Sequence, residues 1–449
     1  MAGARAALAI TLQPMKSVGD VSASHQAHQA ALEGARIVVI GVNYAPESTG
    51  IGPYTTGLTR HLSEAGAHVH VITGVPHYPN WAASRGYRTG LMWREQHDGI
   101  AVSRGRHYIP RRPNAMKRIL FDASFALTAG LLTSHVAADA VIGVTPGLGA
   151  LPAAVHLSRR TRTPLAVVVQ DLAGLAAEQS GIRGPAAMFS FGRRLESRWL
   201  RQADLLGVIS PDFVEVLTKS GIDSGRLFEL RNYTHIVPDD RSPRHARKAL
   251  GWRDEDFVVL HSGNMGLKQD LGNVLAAAQL ADQTSSSVRF VILGDGSQRT
   301  HLERAAAGIR SVEIATSVPD DLYPAALAAA DVLLLNERPS VKNMSLPSKL
   351  TSYLSAGRAI LAAVRADSAA AMEVGRSGGG IVVPPGDPAA LLAGAMQLQE
   401  NQDLRRRLAE KGRKYASAEL SETAAAQRSV AFAQRLLRTR TQRTNAPAS

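Results

Sequence analysis

Cysteine is absent from the 449 residues. That excludes disulfides, thiolate zinc sites and cysteine nucleophiles, and it fits a reducing, cytoplasmic compartment. Long apolar runs are missing as well. The best candidate, residues 119–132, is interrupted by Asp122 and Ser124 and falls short of the roughly 18 apolar residues that a membrane span needs. There is no repeat of solenoid length. Zinc-ligand spacing, RNP-like aromatics and a compact recognition helix are also lacking, so nucleic acid is not an expected partner. Residues 1–35 have neither a compact apolar h-region nor a secretory cleavage site and read as a disordered extension.

What is present is ordinary for a globular chain: 45% apolar and 20% charged residues, enough for real cores. The length suggests two lobes. A formal charge of +13 attracts polyanions, whether nucleic acid, an anionic leaflet or a phosphorylated substrate. Apolar runs without alternation, at 36–44, 68–75, 100–107, 139–144, 164–171 and 204–209, suit strands buried on both faces of a parallel sheet. Helical patterns separate most of them. In the first, Tyr54, Leu58 and Leu62 recur every four residues and Gly66 stops the helix. Ser210-Pro211 restarts a helix, Ser as cap and Pro in the first turn. Residues 236–252, rich in proline and charge, read as a linker. A second alternation follows at 257–261, 288–294, 312–315, 331–335, 359–364 and 380–383. The expected fold is α/β with two Rossmann-like doubly wound domains, 36–235 and 236–415. A helix follows over 416–438, with the option of crossing back to the first domain, and 439–449 reads as a disordered tail.

In such sheets ligands bind beyond the carboxyl ends of strands, where glycine admits the backbone and helix N-termini offer amides to anions. Gly50-Ile51-Gly52 sits at such a place, and an ordinary tight turn is the alternative. His261-Ser262-Gly263-Asn264-Met265-Gly266-Leu267-Lys268 repeats the arrangement with a lysine added. Gly294-Asp295-Gly296 ends another buried strand. In Ser345-Leu346-Pro347-Ser348-Lys349, Pro347 and Ser348 can start a helix with Lys349 in its first turn. A cation is unfavourable there unless an anion is shared, so Lys349 reads as a phosphate ligand. A solvated lysine is the alternative.

Taken together these residues resemble glycosyltransferase family 4, in its colanic-acid and O-antigen fucosyl-type branch. The resemblance rests on the stretch Asn43 to Tyr54, Pro76-His77-Tyr78-Pro79-Asn80-Trp81, Gln170-Asp171-Leu172, Ser262-Gly263-Asn264-Met265-Gly266, Gly294-Asp295-Gly296 and Leu346-Pro347-Ser348-Lys349. It spans about residues 36–415. It implies a GT-B fold with a central cleft, a donor held mainly by the second lobe, an acceptor at the first, no obligatory metal or cofactor, and usually retention at the anomeric carbon. Similar proteins build exopolysaccharide, O-antigen or other envelope glycans, often on a polyprenyl-diphosphate carrier. One departure stands out. Many family members carry two glutamates eight positions apart, where this chain has Met344 and Ser352. Either Glu337 replaces one of them, or Lys349 and backbone amides hold the donor instead.

Lys268 and Lys349 are the expected partners of the departing diphosphate. Gly50, Gly52, Gly263, Asn264, Gly294, Asp295, Gly296, Ser348 and Ser352 line the donor. Asp171, after a strand of the first lobe, orients or deprotonates the acceptor hydroxyl, and helix capping is its alternative. Tyr54, His77 and His107 are placed on the acceptor side. Expected partners are a nucleotide-diphosphate sugar and a glycan or polyprenyl-diphosphate-linked acceptor. The basic stretch from Arg104 to Arg112 and the apolar helix after it add peripheral contact with an anionic membrane. A nucleotide-sugar epimerase and a non-enzymatic polyanion-binding protein are the rival readings.

Overall fold

The computed structural model describes residues 30–111, 114–171, 186–234, 236, 243–341 and 347–445. The first sheet has eight strands: β1 (Arg36–Ile40), β2 (His68–Gly74), β3 (Met92–His97), β4 (Ile100–Gly105), β5 (Ala140–Val144), β6 (Leu165–Val169), β7 (Leu205–Val208) and β8 (Leu227–Glu229). Their order is β3-β4-β2-β1-β5-β6-β7-β8. Only β3 runs antiparallel, against β4. The helices of this region are α1 (Gly52–Glu64), α2 (Ala115–Thr133), α3 (Ala150–Thr161), α4 (Ala186–Leu200) and α5 (Pro211–Lys219).

The second sheet is β9 (Phe257–Asn264), β10 (Val288–Asp295), β11 (Val312–Ala315), β12 (Val332–Asn336), β13 (Ala359–Ala363) and β14 (Gly380–Val383), ordered β11-β10-β9-β12-β13-β14 and parallel throughout. With it go α6 (Pro243–Leu250), α7 (Leu271–Gln283), α8 (Arg299–Ala305), α9 (Tyr323–Ala329), α10 (Ser348–Ser355), α11 (Ala369–Ser377), α12 (Pro388–Glu400) and α13 (Gln402–Glu419). A last helix, α14, runs over Glu422–Asn445.

Strands such as β5 and β6 are buried at every residue because helices cover both faces of the sheet. Val38 and Ile40 of β1 pack with Phe121, Phe125 and Leu151, while Ile37 and Val39 pack with Leu58, Leu62 and Phe432. The second face is thus covered in part by α14, although that helix follows the whole second sheet in the chain. A Cβ on Gly207 would lie 3.2 Å from the Phe432 ring, so the glycine in β7 admits this helix.

The structure differs from the sequence reading at five places, the first being α6, which lies within the expected linker and packs Ala246 into the second core. β3, MWREQH, is a charged edge strand whose burial alternates, and such a pattern carries little apolar signal. β8 has three residues. α14 continues to Asn445, past the point where the apolar pattern fades, so residues 439–445 are helical rather than a loose tail. Residues 30–35 belong to the fold: Leu32 is buried among Ala65, Ala67 and Leu436, and its amide bonds to Ala65 O at 2.9 Å. Residues 1–29, and therefore most of the expected extension, lie outside the described residues.

The lobes are joined by buried charge. Arg231, just after β8, donates to both carboxylate oxygens of Glu373 on α11, at 2.8 and 2.7 Å. Arg376 of α11 reaches Asp212 of α5 at 3.2 Å. Among the described residues no helix is long and apolar enough to cross a membrane.

Candidate donor and acceptor site

In the second lobe two sequence-distant glycine motifs form one surface. β9 and β10 pair to their ends, setting Gly294 opposite Gly263 and Asp295 opposite Asn264. A Cβ on Gly294 would fall 2.0 Å from Gly263 O, and one on Gly296 would fall 2.6 Å from both Asn264 Oδ1 and Met265 O. Both glycines also have positive φ, 148° and 155°, so no other residue fits without moving a strand. Met265 N closes the turn on Asp295 O at 2.7 Å.

α10 brings Lys349 to this surface. Its position is fixed by the buried Tyr353 hydroxyl, which accepts from Ser262 N at 2.9 Å and shares a 3.1 Å bond with Ser262 Oγ. No side chain caps α10 at Pro347. Lys349 Nζ lies 3.8 Å from where a Gly263 Cβ would stand and 3.2 Å from His261 Nε2. Burial pushes this ammonium down to about 7; Glu337 opposes the shift and Lys268 adds to it. Burial, with Lys349 beside it, holds His261 well below the usual imidazole range, so the ring is neutral. Lys268 Nζ pairs with the buried Glu337 at 3.2 Å. Two lysines, one carboxylate and two glycine turns therefore meet at the carboxyl ends of β9, β10 and β12. Ser348 is exposed at the start of α10 and Ser352 is buried one turn on. Met344 lies outside the described residues.

In the first lobe, Gly50 has φ 71°, and a Cβ there would touch the Tyr78 ring at 3.0 Å. A Cβ on Gly52 would fall 2.8 Å from Glu47 O. Glu47, a residue to which the sequence reading gave no role, ties this loop to the one after β2: its buried carboxylate accepts from His77 N at 2.8 Å, Tyr78 N at 2.9 Å and Asn43 Nδ2 at 2.7 Å. α1 starts at Gly52 without a side-chain cap.

Three residues expected on the acceptor side are buried. Tyr54 is buried against Tyr233, ring centroids 6.1 Å apart, and its hydroxyl bonds to Thr351 of α10 while burial pushes it up to about 12. It links the lobes, because the α1 periodicity turns it inward. His77 and His107 stack edge-on at 5.1 Å and both pack on Phe121. Burial, with His77 adding to it, pushes His107 down to about 3, which keeps it neutral within an aromatic cluster. Asp171 is half-buried just beyond β6, its carbonyl accepting from Thr145 Oγ1 at 3.2 Å. The next residue is outside the described set.

Residues 49–232 match the family description "Glycosyl transferase 4-like domain", and residues 256–401 match "Glycosyl transferases group 1". Escherichia coli K12 WcaI, which bears the name of a colanic acid biosynthesis glycosyl transferase, is 30% identical over 339 residues, covering 72% of this chain and 81% of its own. Pseudomonas aeruginosa WbjE, named as a glycosyltransferase, is 28% identical over 207 residues, 44% of this chain and 50% of its own. Among solved structures, sucrose-phosphate synthase from Thermosynechococcus elongatus superposes with TM-score 0.70 at 17% identity, covering 90% of this chain and all of that one. Anabaena HepE in complex with UDP-glucose superposes at 0.61 and 17%, covering 90% and 99%. Two parallel-sheet lobes of this kind make up the GT-B fold. The chain belongs to glycosyltransferase family 4, in the branch that holds its colanic-acid relative.

Proposed function

We propose that the protein moves a sugar from a nucleotide-diphosphate donor to a glycan or polyprenyl-diphosphate-linked acceptor during synthesis of an envelope glycan or exopolysaccharide, with retention at the anomeric carbon. The observation that carries this reading is Lys349 Nζ standing over Gly263 while Lys268 is held beside it by Glu337. HepE was solved with UDP and with UDP-glucose, and WcaI is named for colanic acid. Both fit a nucleotide-sugar donor and a polysaccharide product.

In the proposed step the bond from the anomeric carbon to the β-phosphate oxygen breaks, and its electron pair leaves with the diphosphate. The acceptor oxygen bonds to that carbon on the same face, and its proton passes to the departing phosphate oxygen. Lys268 and Lys349 stabilise the charge growing on the diphosphate. Glu337 orients Lys268 in place of the missing paired carboxylates. The backbone at Gly263, Asn264, Gly294, Asp295 and Gly296 lines the nucleotide, and Ser348 and Ser352 sit on the phosphate-side helix. Gly50 and Gly52 let the first lobe approach, and Asp171 orients the acceptor. A lipid-linked acceptor sets the working protein against the cytoplasmic leaflet.

A thermal-shift screen over UDP-, GDP-, TDP- and ADP-sugars, followed by transfer assays with the sugar that binds, tests this, since a ligand of the folded state raises Tm. A donor that stabilises the protein and is consumed only with acceptor supports the proposal. Donor isomerisation without acceptor would instead show an epimerase, and strong duplex binding without any nucleotide-sugar shift a polyanion binder.

A further inference from the structure

Helix α2 is apolar on the wrong side as well as the right one. Phe121, Phe125, Ala129 and Thr133 recur every four residues and are buried. The opposite face carries Met116, Leu120, Leu127 and Leu131, at spacings of four, seven and four, and leaves Leu127 72% and Leu131 63% exposed. A helix on the surface of a globular protein ordinarily turns polar residues outward. Here the stripe runs over about 22 Å of helix at 1.5 Å per residue.

The patch extends beyond the helix. Leu91, 74% exposed, immediately precedes the edge strand β3, and Met92 begins it and pairs with Gly105. A Cβ on Gly105 would lie 2.8 Å from the Thr128 side chain, so this strand end abuts α2 beside Leu127. Eight of the eleven exposed large hydrophobics of the described residues fall between 91 and 131, which marks a patch and not scatter.

Basic residues flank it. Arg106 is exposed and bonds to the carbonyls of Arg88 and Gly90 beside Leu91. Arg111 is exposed, and Lys117 and Arg118 lie in the first turn of α2. The one acid on the helix, Asp122, points inward, accepting from Gly149 N at 3.1 Å. Apolar side chains rimmed by cations match an anionic bilayer surface, where the acyl boundary takes the former and lipid phosphates the latter.

We infer that the outer face of α2, with Leu91 and Met92, docks on an anionic lipid leaflet and inserts its leucines among the acyl chains. Docking of this kind serves the lipid-linked acceptor proposed above, and its purpose rests on that reading.

The test is co-sedimentation of the full chain, without donor or acceptor, with vesicles of phosphatidylcholine alone and of phosphatidylcholine mixed with phosphatidylglycerol. Binding should appear with the mixed vesicles and fade with salt. It should fall by roughly a hundredfold in Leu120→Ser/Leu127→Ser/Leu131→Ser, because exposed leucines lose only the membrane as an apolar partner. Tm of that variant should hold or rise. Arg106→Ser/Lys117→Ser should lose the preference for anionic lipid. No binding to either vesicle, equal binding to both, or full binding by the triple variant would overturn docking. So would a wild-type dimer that ignores vesicles and that the triple variant dissociates, which would make a second copy the occupant. Vesicle failure with intact transfer to a soluble acceptor leaves the proposed function standing, and vesicle binding without transfer does the reverse.

Discussion

Lys349 Nζ stands 3.2 Å from the neutral imidazole Nε2 of His261. The ring accepts the ammonium's proton in a hydrogen bond but returns no negative charge. Glu337, the carboxylate that could balance it, is already paired with Lys268 at 3.2 Å. A half-buried cation kept in this way gains most from an anion that arrives from outside.

Lys268→Ala and Lys349→Ala should therefore each lower kcat/KM for the donor while the fold survives. One lost charge-assisted phosphate contact costs on the order of 1.5–3 kcal/mol. Initial rates at subsaturating donor, beside melting curves of the free variants, check this. Unchanged rates in both would remove the lysines from the donor site.

The titration of Lys349 gives a signed pH effect. Its folded value is near 7 and its ordinary value 10.5, so between these limits the unfolded chain holds the extra proton and stability of the free protein rises with pH. Below pH 7 both states are protonated and this slope vanishes. A bound diphosphate favours the charged form, so donor binding above pH 7 should take up a proton and weaken as pH increases. Calorimetry in two buffers of unlike ionisation enthalpy measures the uptake, and Lys349→Met should abolish both it and the stability slope.

Arg231 and Glu373 form a buried pair across the lobes. Arg231→Met leaves the carboxylate buried with Arg376 and Tyr415 only and should cost about 3–5 kcal/mol, whereas Arg231→Met/Glu373→Leu should recover much of it. Urea unfolding of both variants decides, and a double variant as unstable as Arg231→Met would show that the loss does not come from the stranded carboxylate.

Leu32 reports on the N-terminal border of the fold. Leu32→Ala should destabilise by about 2–4 kcal/mol, as for a buried leucine. An unchanged midpoint of unfolding would put residues 30–35 outside the cooperative unit.

The sequence by itself determined the two doubly wound lobes, because strands covered on both faces must be apolar at every position, as in β5 and β6. It also marked the glycine turns and both lysines, since positive φ and close backbone approach leave little choice but glycine, as at Gly294 and Gly296. What it did not decide depends on residues far apart in the chain. The turn of Tyr54 toward Thr351, the enclosure of His77 and His107 under Phe121, the Glu47 clasp and the return of α14 to the first sheet each require partners that local periodicity does not name. Only the tertiary structure also showed that α2 has two apolar faces and one sheet to cover. A hydropathy pattern counts leucines along a helix, but which of them lack a neighbour is settled by the packing of β4 and α3 around it.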